Sequence, residues 1–261
     1  MTLKTICQLE YHSSYETPLI LLLKIFKGAK QNVISETFNV EPSIFFTEYK
    51  DSYGNLCQRV ITPTGKLVID TRAVIETDAQ VEINPDAHFT LIQDLPDDAL
   101  IYLLPSRFCE SDKLNAEVFK IIKDINVGYL MVEAIRQWVN QNIKYEYDRS
   151  TSSTSALDTL SAGHGVCRDL SHLANALCRS INIPARFVVG YLYDLKPMDL
   201  HAWFEAYLGD KWYTFDATQP IVTGGRVVIA YGRDAADVAT ATYFGDVQLI
   251  NMNVVVEKIS Y

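Results

Sequence analysis

The sequence predicts an α+β protein in two parts: an N-terminal antiparallel β-sandwich over residues 1–85 and a mixed α+β domain over residues 86–261. Three observations predict it. From Leu3 to about Thr77, β-branched and aromatic segments alternate with turn signals, the pattern of short antiparallel strands. A connector rich in Pro and Asp follows, with N-P-D at Asn84 to Asp86 and D-L-P-D-D at Asp94 to Asp98, where a regular ladder is hard to sustain. Beyond Pro105 apolar residues recur at three- and four-residue steps, the spacing of a helix face.

The N-terminus M-T-L-K-T-I-C-Q-L-E-Y alternates polar and apolar residues and reads as a first strand rather than a secretory signal. The apolar run from Leu19 to Leu23 stops at Lys24, far short of the roughly 20 residues a membrane-spanning helix needs. Strands are also expected in S-I-F-F-T-E-Y and K-L-V-I-D-T-R-A-V-I, with turns at Tyr53 to Asn55 and Pro63 to Gly65. In the second part Leu130, Met131, Ala134, Ile135, Trp138 and Val139 mark one amphipathic helix, and Ser150 to Ser155 a loop. Leu170, Leu173, Ala174, Leu177, Cys178 and Ile181 mark another helix, which N-I-P at Asn182 to Pro184 ends.

Composition narrows the function. The chain has 261 residues, 48% hydrophobic and 21% charged, with a formal charge of -9 and no Lys/Arg cluster able to track a phosphate backbone, so nucleic acid is not an expected partner. A membrane is not expected either. Five cysteines, an odd number without C-x-x-C spacing, point to reduced thiols in a cytoplasmic protein. No glycine-rich phosphate loop or EF-hand pattern calls for a cofactor.

One cysteine stands apart. In A-G-H-G-V-C-R-D-L-S-H-L, Ala162 to Leu173, Cys167 falls in the first turn of a helix, where free backbone N–H groups and the helix dipole favour a thiolate. Gly163 and Gly165 permit a sharp turn and a close approach of substrate backbone to the sulfur. By position alone Cys167 is equally a small hydrophobe on the helix stripe, the reading expected of Cys178. Arg168 and Asp169 beside it read as helix-end charges.

Downstream, D-L-H-A-W-F-E-A-Y-L-G-D-K-W-Y-T-F-D-A-T, Asp199 to Thr218, reads as two strands joined at Gly209-Asp210. A two-residue loop there pairs Leu208 with Lys211 and sets Trp203 opposite Asp216, with His201 diagonal to Asp216. Alternation then brings His201, Trp203 and Asp216 to one side, diagonal neighbours lying about 7 to 8 Å apart. A carboxylate so placed can fix the imidazole's tautomer while its other nitrogen serves a thiol. The candidate set is Cys167, His201 and Asp216. A metal site is the competing use of His164, Cys167 and His172, but residues five apart on a helix diverge, so no metal is expected.

Three motifs in order, G-V-C-R-D-L-S-H-L-A, H-A-W-F-E-A-Y-L and W-Y-T-F-D-A-T, resemble the transglutaminase-like superfamily, specifically its bacterial branch with an N-terminal β domain. The likeness continues into G-R-V-V-I-A-Y-G-R-D-A-A-D-V-A, Gly225 to Ala239. It implies a papain-like α+β core, with Cys167 as nucleophile, His201 as general base and acid, and Asp216 orienting the histidine. It implies an oxyanion hole from the nucleophile's backbone N–H and a second group, for which Tyr145 and Tyr147 are both candidates. The expected reaction is acyl transfer on a peptide or protein amide through a thioester, hydrolysis being favoured by what bacterial members of this kind do. Transfer to an amine, or a catalytically silent scaffold, are the alternatives. Calcium is not indicated, and the sequence is silent on oligomeric state. Specificity is expected to lie in loops such as Asp194 to Leu200.

Overall fold

The computed structural model describes residues 1–28, 30–123, 125 and 127–259. The alternating N-terminal segment forms β1 (Thr2–Ser13), whose inward side chains are buried at every second position. It is followed by β2 (Thr17–Leu21), β3 (Gln31–Glu41), β4 (Phe46–Lys50), β5 (Leu56–Thr62) and β6 (Gly65–Thr77). Both foreseen turns connect strands. Asp51 accepts the N–H groups of Tyr53 and Asn55 between β4 and β5, and Pro63 to Gly65 carries the chain from one sheet to the other.

The connector holds only the short helix α1 (Asp97–Leu100) and two 3₁₀ turns before residue 105. Then come α2 (Asn115–Ile121), α3 (Tyr129–Asn142), β7 (Lys144–Tyr145), α4 (Ala156–Ala162), β8 (His164–Gly165) and α5 (Cys167–Ser180). The remaining strands are β9 (Ala185–Leu192), β10 (His201–Leu208), β11 (Lys211–Phe215), β12 (Arg226–Gly232), β13 (Ala241–Tyr243) and β14 (Val247–Ile259).

Three antiparallel four-stranded sheets result, ordered β14-β1-β6-β3, β13-β2-β5-β4 and β11-β10-β9-β12. The first two face each other across Leu3, Cys7, Leu9, Leu19, Leu21, Val60, Leu67 and Ile69, the expected sandwich core. The division expected at residue 85 needs correction at its far end. Residues 241–259 return from the second part and complete both sandwich sheets, β13 on β2 and β14 on β1. The physical reason is edge pairing: β1 runs 12 residues and would otherwise present a long unpaired edge. Phe187, Val189, Tyr191, Val227 and Ile229 join the sandwich core, so one apolar cluster crosses the expected boundary.

On the third sheet, Phe204, Ala206, Phe215 and Ala185 pack against Leu170, Leu173, Ala174 and Leu177 of α5. Each of those leucines is at most 1% exposed and contributes roughly 1.5 to 3 kcal/mol by burial. Residues 169–179 are buried on all sides, because α3 and α4 cover what the sheet leaves open. The face of α3 departs from expectation: Leu130 is 38% exposed, while Val132 and Arg136 turn inward. Among the described residues no helix is long and apolar enough to cross a membrane.

Candidate active site

The Cys167 end of α5 is built by its neighbours in sequence. Ser155 caps α4, its hydroxyl accepting from Asp158 N–H at 3.3 Å while the Asp158 carboxylate accepts from Ser155 N–H at 3.0 Å. Gly163 ends that helix in the left-handed conformation, φ 72°. β8 then pairs in parallel with β7, so that Tyr145 sits opposite Gly165, two residues before the cysteine. A Cβ on Gly165 would meet Asp169 Cβ at 2.7 Å; glycine leaves that space free, and Asp169 folds back to accept Val166 N–H at 2.9 Å. Arg168 holds the other Asp169 oxygen and reaches the Ser150 hydroxyl at 2.7 Å, tying the serine/threonine loop to the helix start. Both charges therefore brace the helix end.

Cys167 alone among the five cysteines is partly exposed. Burial raises the Cys7 and Cys109 thiols to about 12 and pushes the Cys178 and Cys57 thiols up as well. Those four are inert fillers of the core.

The hairpin has the foreseen register, Leu208 with Lys211 through Phe204 with Phe215. Beyond the end of the ladder, His201 Nε2 lies 2.7 Å from Asp216 Oδ2, with both side chains essentially out of solvent. The Cys167 thiol lies near enough to the imidazole to influence its charge, so His201 stands between the other two candidate residues. Burial works against the imidazolium, but the Asp216 charge and hydrogen bond, joined by Cys167, outweigh it and raise the His201 pKa to about 9. Asp216 shows the reverse: burial penalises its charge, yet His201, Arg226 and Thr218 hold it well below the usual carboxylate range.

Trp203 shares the side of His201, as the alternation requires. It is buried and stacks on the imidazole at 6.1 Å with planes 26° apart, so it backs the ring. His172 takes no part. It is buried between Phe108 and Phe187, its Nε2 accepts Ala235 N–H at 3.1 Å, and burial keeps it neutral with a pKa of about 3. Between the two tyrosine candidates, Tyr145 lies near enough to Cys167 for the thiol to raise its pKa, whereas Tyr147 packs edge-on to Tyr145 at 5.2 Å and is half exposed.

Three residues around Asp216 are given no role by the motifs. Arg226 of β12 forms an ion pair with Asp216 Oδ2 at 2.9 Å, Arg136 of α3 donates to the Asp216 and Pro220 carbonyls, and Asn140 donates to the Ala217 carbonyl at 2.9 Å. Their signal in the sequence is faint: a charge beside Ile135 in an apolar helix face, and another opening the strand R-V-V-I-A-Y-G. The rest of that late motif is a structural tie. Asp234 is buried and accepts from Phe108 N–H at 2.8 Å, while Asp237 binds Arg233 and the Tyr53 hydroxyl.

A cleft of about 700 Å³ opens on the sheet face away from α5, lined by Arg186, Trp203, Glu205, Trp212, Arg226 and Tyr231. Cys167 does not line it. In Asp194 to Leu200, Met198 and Leu200 pack on the core and burial raises the Asp199 pKa.

Known proteins resemble this arrangement at three levels. The family model described as "Transglutaminase-like superfamily" matches residues 118–217, a span holding all three candidate residues. A candidate cysteine protease from Cytophaga hutchinsonii, solved by crystallography, is 34% identical, with a TM-score of 0.94 over 100% of this chain and 91% of that one. A protein of Mycobacterium leprae described as uncharacterised is 26% identical over 228 residues, 81% of this chain and 80% of its own. Since the first of these structures follows this chain from end to end at that identity, and the family model falls on its central helices and hairpin, the chain belongs to the transglutaminase-like superfamily.

Proposed function

We propose that the protein is a cysteine-dependent amide hydrolase in which Cys167, His201 and Asp216 act as a triad. The observation that carries the reading is the imidazole bound to the Asp216 carboxylate at 2.7 Å and lying beside the Cys167 thiol, at the N-terminus of a buried helix. With Nε2 engaged by Asp216, Nδ1 is the nitrogen left to take the thiol proton. The thiolate attacks the amide carbon, the C–N bond breaks, and the imidazolium returns its proton to the departing amine. Water, deprotonated by the now neutral imidazole, opens the thioester and releases the acid.

The tetrahedral oxyanion is stabilised by the Cys167 backbone N–H and by the hydroxyl of the neighbouring Tyr145. Burial and the neighbouring thiol push the Tyr145 pKa up, so the phenol stays protonated and able to donate. Peptide or protein amides are the substrate class, and neither a cofactor nor a metal enters the steps. Transfer to an amine uses the same acyl-enzyme, and the acceptor separates the two reactions. A cytoplasmic site of action fits the reduced thiols.

The first measurement is mass-spectrometric labelling by iodoacetamide between pH 8 and 5, in the native protein and in His201→Ala. Selective labelling of Cys167 that persists at low pH and weakens in His201→Ala supports the triad; labelling that only follows exposure would return Cys167 to a packing role. Turnover of a fluorogenic peptide-amide library with and without saturating dansylcadaverine then reads the acceptor. Incorporation of the amine in preference to water would make the enzyme a transferase.

A further inference from the structure

Arg226 is a buried guanidinium, 7% exposed, that the triad does not by itself require. Its Nη2 is 2.9 Å from Asp216 Oδ2, the same oxygen that meets His201 Nε2, and 2.7 Å from Gln219 Oε1; its Nε donates to the Thr223 carbonyl at 3.0 Å. The guanidinium lies over Trp203 at 5.1 Å, and the same indole stacks on His201. Desolvating a guanidinium costs several kcal/mol, and a well-packed apolar residue would serve stability as well or better. The charge therefore calls for an account beyond packing.

The groups that face the pair can be named. Cys167 comes from α5, with Tyr145 of β7 beside it; Asp199 comes from the loop before β10, Thr218 from the turn after β11, and Arg136 of α3 reaches the Asp216 carbonyl. Arg226 is the cation on the carboxylate itself besides the imidazolium.

Building on the triad reading, we propose that Arg226 is a positioning residue that keeps the Asp216 charge compensated whichever protonation state His201 holds, so that the imidazole can release its proton as readily as it takes one. Without Arg226, each time His201 gave up its proton a fully buried carboxylate would stand with only Thr218 as donor, and that cost would hold the imidazolium protonated. With Arg226, Asp216 stays an anion in both halves of the cycle. The step most affected is opening of the thioester, which needs neutral imidazole to take a proton from water.

The test uses the full chain labelled with ¹⁵N-histidine, its five imidazoles followed by NMR as pH rises. The His201 resonance of the native protein is expected to titrate near pH 9. Arg226→Met should move it upward by about one pH unit, and Arg226→Lys should stay within a few tenths of the native value. A titration in Arg226→Met at or below the native one would overturn the proposal, as would an Arg226→Lys protein that behaves like Arg226→Met. Where Arg226→Met fails to fold, Arg226→Gln, which keeps amide donors and loses the charge, reads the same shift. Failure of the triad reading looks different: Cys167 labelling would not respond to His201→Ala. A protein whose labelling responds but whose His201 titration ignores Arg226 refutes this inference alone.

Discussion

Asp216→Asn is the substitution that separates the charge of the carboxylate from its shape. Asp216 accepts three hydrogen bonds, from His201 Nε2 at 2.7 Å, Thr218 N at 2.9 Å and Thr218 Oγ1 at 2.6 Å, and forms an ion pair with Arg226 Nη2 at 2.9 Å. An asparagine can keep the two from Thr218 with its oxygen, but its NH₂ must then meet two donors. The imidazole has to turn Nε2 into an acceptor and carry its proton on Nδ1, where it cannot take one from the thiol. In the native protein His201 rises from 6.5 to about 9, and that difference corresponds to about 3 kcal/mol of folding stability.

A pKa raised on folding contributes its stability in full below the unfolded value and loses it as pH climbs through the folded value. The stability gap between native protein and Asp216→Asn should therefore be wider at pH 6 than at pH 10.5. At roughly 2 to 4 °C per kcal/mol, the extra gap in thermal midpoint is roughly 6 to 12 °C. It should not close at high pH, because the Arg226 ion pair is lost in the variant at every pH. Labelling of Cys167 by iodoacetamide at pH 6 should fall by roughly 10²- to 10⁴-fold, the lower figure following from the lost imidazolium and the upper from the inverted tautomer. Melting curves by differential scanning fluorimetry at both pH values check this; equal gaps at pH 6 and pH 10.5 would refute the coupling of the two side chains.

Gly165→Ala forces a Cβ to within 2.7 Å of Asp169 Cβ, so Asp169 must leave Val166 N–H; a loss of about 2 kcal/mol in urea unfolding, with lowered Cys167 reactivity, is expected. Arg186 lies between Trp212 at 4.3 Å and Tyr231 at 3.8 Å and binds Glu205 at 2.9 Å. Arg186→Met should cost about 3 kcal/mol by stranding the buried Glu205, and adding Glu205→Gln should recover most of it, which a double-mutant cycle reads directly. Deleting residues 247–259 uncovers the edge of β1, and the truncated chain should lose soluble folded protein in size-exclusion chromatography although Cys167, His201 and Asp216 are untouched; a stable monomer would show that β14 is dispensable.

Much of this molecule is local in origin and so was legible from its residues. Alternation specified β1 and β6, and Gly209-Asp210 determined the register of β10 and β11. That register, with the helix start at Cys167, was enough to bring His201 to Asp216, because side-chain alternation on a ribbon propagates from a single turn. The sandwich and the mixed core followed from a change of period.

Tertiary structure decided what depends on distant segments. The inward turn of Arg136 on α3 follows from the carbonyls of residues 216–220 lying beneath it, and nothing in the helix's own spacing announces them. The return of residues 241–259 to β1 and β2 is a choice among sheet edges, and strand pattern says which face is apolar but not which edge is open. Arg226 meets Asp216 only because β12 adds to β9 on the far side from β10; hydrogen-bonding order across a sheet is non-local, so the fold alone supplies the cation beside Asp216.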